Sequence, residues 1–269
     1  MLESQLLWLA VGCYLVATGL AFSFLVVGQR FYGLILTCLA VGVVLHAAAI
    51  GLRWQRLGHG PFVTLFEILT SNLWSLLLAY TLAIWRVASV RLTAAVVLPV
   101  MTVMMVWLLS TDPKDSQLPA TYTTSWLYIH VTFGKIFMGL LLVAAGIGGV
   151  VNLRRWGLFQ ARLASLPSDV ALDELAFRFL SLGLVFDSFM LIAGAIWAQD
   201  AWGRYWDWDS LEAWSLVNWL SLALVLHLRV AWRPPPWLNG LLAIFLFCLA
   251  YVVFFGVPFI SQAPHRGVV

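Results

Sequence analysis

The chain has 269 residues, of which 62% are hydrophobic and only 10% charged, with a net charge of +3. A soluble domain carries about 25% charged residues, so this composition excludes a soluble globular protein and describes an integral membrane protein surrounded by lipid. The small basic excess is too thin for a nucleic-acid partner and reads as loop charge.

Apolar runs long enough to cross a hydrocarbon core of roughly 30 Å recur along the whole sequence, leaving no room for a separate soluble domain. Residues 1–269 are therefore expected to form a single polytopic, all-α membrane domain. The first run, Leu6 to Val27, follows Glu3 instead of a basic leader and lacks a small-residue cleavage site, so it reads as a span and not as a signal peptide. Hydropathy and breaker residues predict eight transmembrane helices at about 5–27, 32–52, 68–85, 92–109, 126–151, 174–198, 211–232 and 237–260. An even number puts both termini on one side. If that side is outside, Arg30, Arg86, Arg91, Arg154, Arg155, Arg162, Arg178, Arg229 and Arg233 fall in cytoplasmic segments, against Arg53, Arg56, Lys114, Arg204 and Arg266 in outer ones. The positive-inside bias then places both termini, and the segment between helices six and seven, on the outer face of an inner (cytoplasmic) membrane. Cys13, Cys38 and Cys248 lie in predicted spans without metal or redox spacing and are expected to be buried small apolar residues.

The polar residues inside the spans carry the next signal. His46, on "LHAAAIGLRW" of helix two, is about six residues, roughly 9 Å, from the outer end and reads as a packing residue. Lys135 in helix five and Asp187 in helix six lie roughly 14 and 17 Å deep, and their matching depth predicts that they pair inside the bundle, directly or through water. His130 lies just inside the outer start of helix five, and His265 just past the outer end of helix eight. Both can approach the loop between helices six and seven. His227 is about 16 residues, roughly 24 Å, from the outer end of helix seven, which sets it near the cytoplasmic side with no second ligand at its level. On its own it reads either as a packing histidine or as a ligand awaiting a partner.

The loop itself, residues 199–210, is the most unusual part of the chain. Trp197, Trp219, Trp232 and Trp237 are expected as an ordinary interfacial belt. The run "WGRYWDWD" is different, because Trp202, Tyr205, Trp206 and Trp208 crowd the connecting segment, with Gly203 allowing close approach. Such a surface suits a large flat ligand. Two imidazoles beside flat apolar walls are what a bis-histidine haem needs, and Arg204, Arg53 and Arg56 are candidates for its carboxylates, although a solvated charge is the plainer reading of each one.

These residues resemble the tryptophan-rich haem-handling membrane proteins of cytochrome c biogenesis, the CcsA (ResC) assembly family. "WGRYWDWD" matches the pattern W-G-x-x-W-x-W-D, the WWD motif, and "GAIWAQDAWGRYWDWD" followed by "NWLSLALVLHLR" keeps that family's order and spacing. "LGHGPFVTLFEIL" and "LPATYTTSWLYIHV" extend the likeness to most of the chain. The resemblance implies that His130 and His265 are outer axial ligands and that the loop, with Trp202, Gly203, Arg204, Tyr205, Trp206, Trp208, Asp209, Glu212 and Trp214, cradles haem b. It further implies that His227 is a transmembrane ligand completed by a CcsB-like membrane subunit, and that apocytochrome c receives the haem. The continuation "WDSLEAW" departs from the commoner "WDPKETW", so the branch is less well marked than the class. A haem-containing electron-transfer subunit and a non-catalytic assembly protein are the alternatives. No nucleophile, acid/base pair or phosphate loop points to any other chemistry.

Overall fold

The computed structural model describes residues 2–27, 31–159, 163 and 166–257, and its described part is helical throughout, with no strand. The long helices are α1 (Leu2–Val27), α2 (Tyr32–Leu57), α3 (Leu65–Arg86), α4 (Ala94–Leu109), α5 (Ser125–Arg155), α6 (Asp169–Trp202), α7 (Ser210–Trp232) and α8 (Pro236–Phe255). All eight, α4 together with the 3-10 turn Ala88–Thr93 that leads into it, are long and apolar enough to cross a membrane, as the hydropathy pattern predicts.

Capping chemistry explains why several helices run past their apolar segments. Thr64, Thr124, Ser168 and Asp209 stand at the N-caps of α3, α5, α6 and α7, each with its side-chain oxygen accepting a backbone N–H of the first turn. At the other ends, Gly58 and Gly203 close α2 and α6 in the left-handed conformation. Polar end residues therefore remain helical: α2 continues to Leu57, and α6 spans Asp169–Trp202 instead of starting near 174. The loop expected at 199–210 shrinks to 203–209, and Trp202 becomes the last residue of a helix.

Helix α5 is the axis of the bundle, packed chiefly against α6 and α8 and also against α3, while α1 pairs with α2 and α4. The α5–α8 crossing is close because Gly148 faces Gly240, where an added Cβ on Gly148 would lie 2.3 Å from the Gly240 carbonyl oxygen. Small residues allow this backbone approach in lipid, where apolar burial gives helices little reason to associate. Helix α7 is the least covered span, and it leaves Leu220, Leu224 and Trp232 on the outside of the bundle.

Polar contacts fasten the loop end of the bundle. Arg53, 3% exposed, donates from Nε (3.1 Å) and Nη2 (3.0 Å) to Oε1 of Glu67, from Nη1 to Glu3 (3.1 Å), and to the Pro113 and Lys114 carbonyls. Glu67 Oε1 also accepts from Ser116 Oγ at 2.7 Å, and Oε2 accepts the Val63 and Thr64 backbone N–H groups. Arg56 binds Glu3 and Asp115, and its hydrogen bond holds the Asp115 carboxyl below the usual carboxylate range. Arg53 and Arg56 are thus engaged by protein carboxylates, neither simply solvated nor left open as candidates for a ligand's carboxylates. His59 belongs to the same cluster: it is buried, with Nδ1 2.9 Å from the Gly60 carbonyl and Nε2 3.2 Å from Ser116 Oγ.

Two further expectations fail. Lys135 and Asp187 do not pair: Lys135 Nζ donates to Ser71 Oγ (2.9 Å) and Asn72 Oδ1 (3.3 Å) on α3, whereas Asp187 accepts from Asn218 Nδ2 (3.3 Å) on α7. Depth along a helix fixes height but not azimuth, and the two side chains leave α5 and α6 in different directions. The cysteines are not buried either; Cys13 and Cys38 are partly exposed and Cys248 is exposed on the bundle surface.

Candidate functional site

A cleft of about 230 Å³ opens at the loop end of the bundle. Tyr205, Trp206, Leu211 and Glu212 line it from the loop and the start of α7, and His130, Met190, Gly194 and Trp197 line it from α5 and α6. Ser71, Asn72 and Lys135 also line it. Lys135 lies five residues beyond His130 on α5, about 7.5 Å deeper at 1.5 Å per residue.

His130 is oriented by its neighbour helix. Its Nδ1 is 2.8 Å from the Met190 carbonyl oxygen, and since a carbonyl only accepts, Nδ1 carries the proton. The Nε2 lone pair of that tautomer is the one a metal would use, and a carbonyl partner of this kind is how proteins fix ligand imidazoles. Gly194, one turn after Met190, makes the approach possible, because a Cβ there would lie 2.7 Å from His130 Nδ1. Alanine favours the helix over glycine by about 1 kcal/mol, so Gly194→Ala should keep the fold while displacing the ring. On the haem reading that the resemblance implies, the expected result is roughly tenfold weaker haem retention, on the scale of lost outer partners of metal ligands, at an unchanged melting temperature. Absorbance titration beside thermal unfolding checks this.

Trp197 joins the site against expectation. It is 4% exposed, donates Nε1 to the Thr121 carbonyl at 2.9 Å, and lies near-parallel to the His130 ring at 5.9 Å. Tyr122 packs edge-on to it at 5.4 Å, and burial pushes the Tyr122 phenol up to about 12, so it stays neutral. Trp202 packs against Trp197 at 5.0 Å and is absent from the cleft lining. Hydropathy alone hides this role, because a helix-end tryptophan has the same sequence signature in a belt and in a core.

The loop residues divide by what they touch. Trp206 faces the cleft, and its indole N–H is buried with no acceptor among the described residues. Trp208 stands edge-on to Trp206 at 5.8 Å, is 70% exposed, and holds a positive φ of 59° that a bulky residue rarely adopts. Gly203 serves the helix cap and not a close approach: its φ is 75°, and a Cβ there would meet nothing within 4 Å. Arg204 pairs with Asp207 at 2.5 Å, so it too is engaged within the chain. Asp209 caps α7 by accepting the Glu212 N–H, and Glu212 reaches back to accept the Asp207 N–H at 2.7 Å. Trp214 is exposed on α7 outside the cleft lining.

His227 is exposed on the outer surface of α7, about 26 Å beyond Ser210, and makes no hydrogen bond to any described residue. A hydrogen-bonded packing histidine is thereby ruled out for it within the described chain. His46 is fully buried against Tyr14, with Nδ1 3.4 Å from the Tyr14 hydroxyl, as the packing reading expects. His265 lies outside the described residues.

Among the described residues no three His, Cys, Asp or Glu side chains gather as a bare metal ion would require. A single fixed imidazole in an aromatic cleft suits an iron already held by a macrocycle, and so the donor set fits haem better than a free ion.

A family model described as cytochrome c assembly protein matches residues 62–265, which contain this entire cleft. The chain belongs to the cytochrome c assembly protein family. Two relatives are the cytochrome c biogenesis proteins CcsA of Trieres chinensis, 28% identical over 80% of each chain, and of Chlamydomonas reinhardtii, 27% identical over 91% of this chain and 71% of that one. The fold is similar to a solved structure of the cytochrome c haem lyase CcmF, with a TM-score of 0.71 at 18% identity. That match covers 94% of this chain and 46% of CcmF, so this chain spans about half the length of that relative. Membership in the cytochrome c assembly family gives this multi-pass membrane protein a role in cytochrome c maturation.

Proposed function

We propose that the protein binds haem b as cargo at the loop-end cleft and presents it for covalent attachment to apocytochrome c. The observation that carries this reading is His130, its tautomer set by the Met190 carbonyl, in a cleft that the WWD loop covers with Tyr205 and Trp206. His130 supplies one axial nitrogen and His265 the other. Trp206 and Trp197 provide flat apolar walls. Trp208, exposed at the rim, gives an arriving apocytochrome an apolar contact.

Bound haem supplies two vinyl groups, across which cysteine thiols add, sulfur to one carbon and hydrogen to the other, with no net oxidation and no leaving group. The residues of this chain hold and orient; positioning alone lowers the barrier for such an addition. The loop end faces outward, in keeping with Arg86, Arg91, Arg154, Arg155, Arg178, Arg229 and Arg233 toward the other end. His227, exposed on the least covered helix, is the ligand offered to a CcsB-like membrane subunit, whose own histidine completes that second site.

Purification in detergent after co-expression with a CcsB-like subunit tests the reading. The expected product shows the absorption spectrum of low-spin, bis-imidazole haem. A protein that copurifies with its partner but carries no haem, and takes none up on titration, overturns it.

A further inference from the structure

Lys135 is the one lysine in a span, and nothing above uses it. All twelve acidic side chains of the chain lie among the described residues, and none of them pairs with Lys135. Its neighbours are two neutral groups, Ser71 Oγ and Asn72 Oδ1. An ammonium group in a membrane interior normally faces a counter-charge or a water-filled space, and here it lines the cleft. The arginines that could otherwise take an anion, Arg53, Arg56 and Arg204, are each closed by carboxylates of the chain.

We infer that Lys135 is the internal counter-ion for a carboxylate of the cleft's cargo, and so a positioning residue that sets which edge of haem faces outward. This rests on the haem reading above. Haem carries its two carboxylates on one edge and its vinyl groups on the opposite edge. A carboxylate drawn to Lys135, about 7.5 Å deeper than His130 along α5, leaves the vinyl edge toward the rim formed by Tyr205 and Trp206. That is the edge a thiol from outside must reach. A cation in this position therefore selects the productive orientation over the reversed one, in which the carboxylates would sit at the mouth and the vinyl groups would be out of reach. Ser71 and Asn72 hold the ammonium while the cleft lacks an anion.

Haem and its dimethyl ester, which lacks both charges, discriminate the idea when titrated into the detergent-purified complex with its partner subunit. The wild-type protein is expected to bind haem at least about tenfold more tightly than the ester, the scale of a charge-assisted hydrogen bond. Lys135→Met should bind both alike, at close to the wild-type affinity for the ester, and Lys135→Arg should restore most of the preference. A structural role for Lys135 would weaken both titrations together and leave their ratio unchanged, which overturns the proposal. So does equal binding of haem and ester by the wild type, or loss of copurifying anionic lipid from Lys135→Met with the porphyrin preference intact, since the anion would then be a lipid headgroup. If neither porphyrin binds the wild type, the haem reading itself falls and this inference with it.

Discussion

Replacing His130 with glycine should strip haem from the purified complex, and added imidazole should restore it. The cavity left by the side chain is the size of the imidazole itself, and the Met190 carbonyl remains to orient the free ring as it orients His130. Removing the outer partner of a metal ligand typically costs 10- to 100-fold in affinity, so loss of the ligand itself should cost at least about a hundredfold, or 2.7 kcal/mol. The Soret region reports the result directly. Rescue by imidazole with a return of the low-spin spectrum identifies axial ligation, whereas an unaltered spectrum in His130→Gly would remove His130 from the site. The neighbouring Trp197 offers a control. Trp197→Phe keeps a ring beside His130 but loses the donor to the Thr121 carbonyl, so it should perturb the spectrum without abolishing it.

Glu67→Ala should produce the largest loss of stability available from one side chain. Glu67 is 1% exposed and receives two guanidinium N–H groups, the Ser116 hydroxyl and two backbone N–H groups. Its removal strands Arg53, itself buried, with only Glu3 and two carbonyls. Breaking a buried pair from one side costs about 3–5 kcal/mol, which for a chain of this length corresponds to a fall of roughly 10 °C in melting temperature. The reason is asymmetric: the unpaired charge is expensive, while the pair itself contributes little net stability. The double replacement Arg53→Met with Glu67→Leu should therefore recover a substantial part of the loss. A Glu67→Ala protein that melts with the wild type would show that the cluster is solvated and structurally idle.

The spans were legible because a bilayer enforces them: eight apolar stretches of the right length admit few other arrangements, and all eight helices appear where hydropathy puts them. Helix ends were less legible, since capping and polar end residues such as Arg53 and Asp169 extend helices beyond the lipid-compatible core. The capping box of Thr64 and Glu67 is written in "TLFE", but its second use, as the socket for Arg53, involves residues 14 positions apart on different helices. Residue type and chain order single out His130 and the WWD loop, and the structure brings His130, Tyr205 and Trp206 to one cleft. Azimuth was not accessible in the same way. The mistaken Lys135–Asp187 pair, the close approach of His130 at Gly194 and the burial of Trp197 all turn on which way a side chain leaves its helix. Where the apolar pattern runs all round a helix, as in a membrane, the sequence contains little to fix that direction.

The hydrogen bond from His130 to Met190 ties the imidazole to the same rod that ends at Trp202 and begins the loop at Gly203. Twelve residues of unbroken helix separate the carbonyl from that end, about 18 Å of rigid spacing. Imidazole and loop therefore share one ruler. A partner that slides α6 along its axis shifts the carbonyl that orients His130 and the start of the loop together, so a push along this rod reaches both at once.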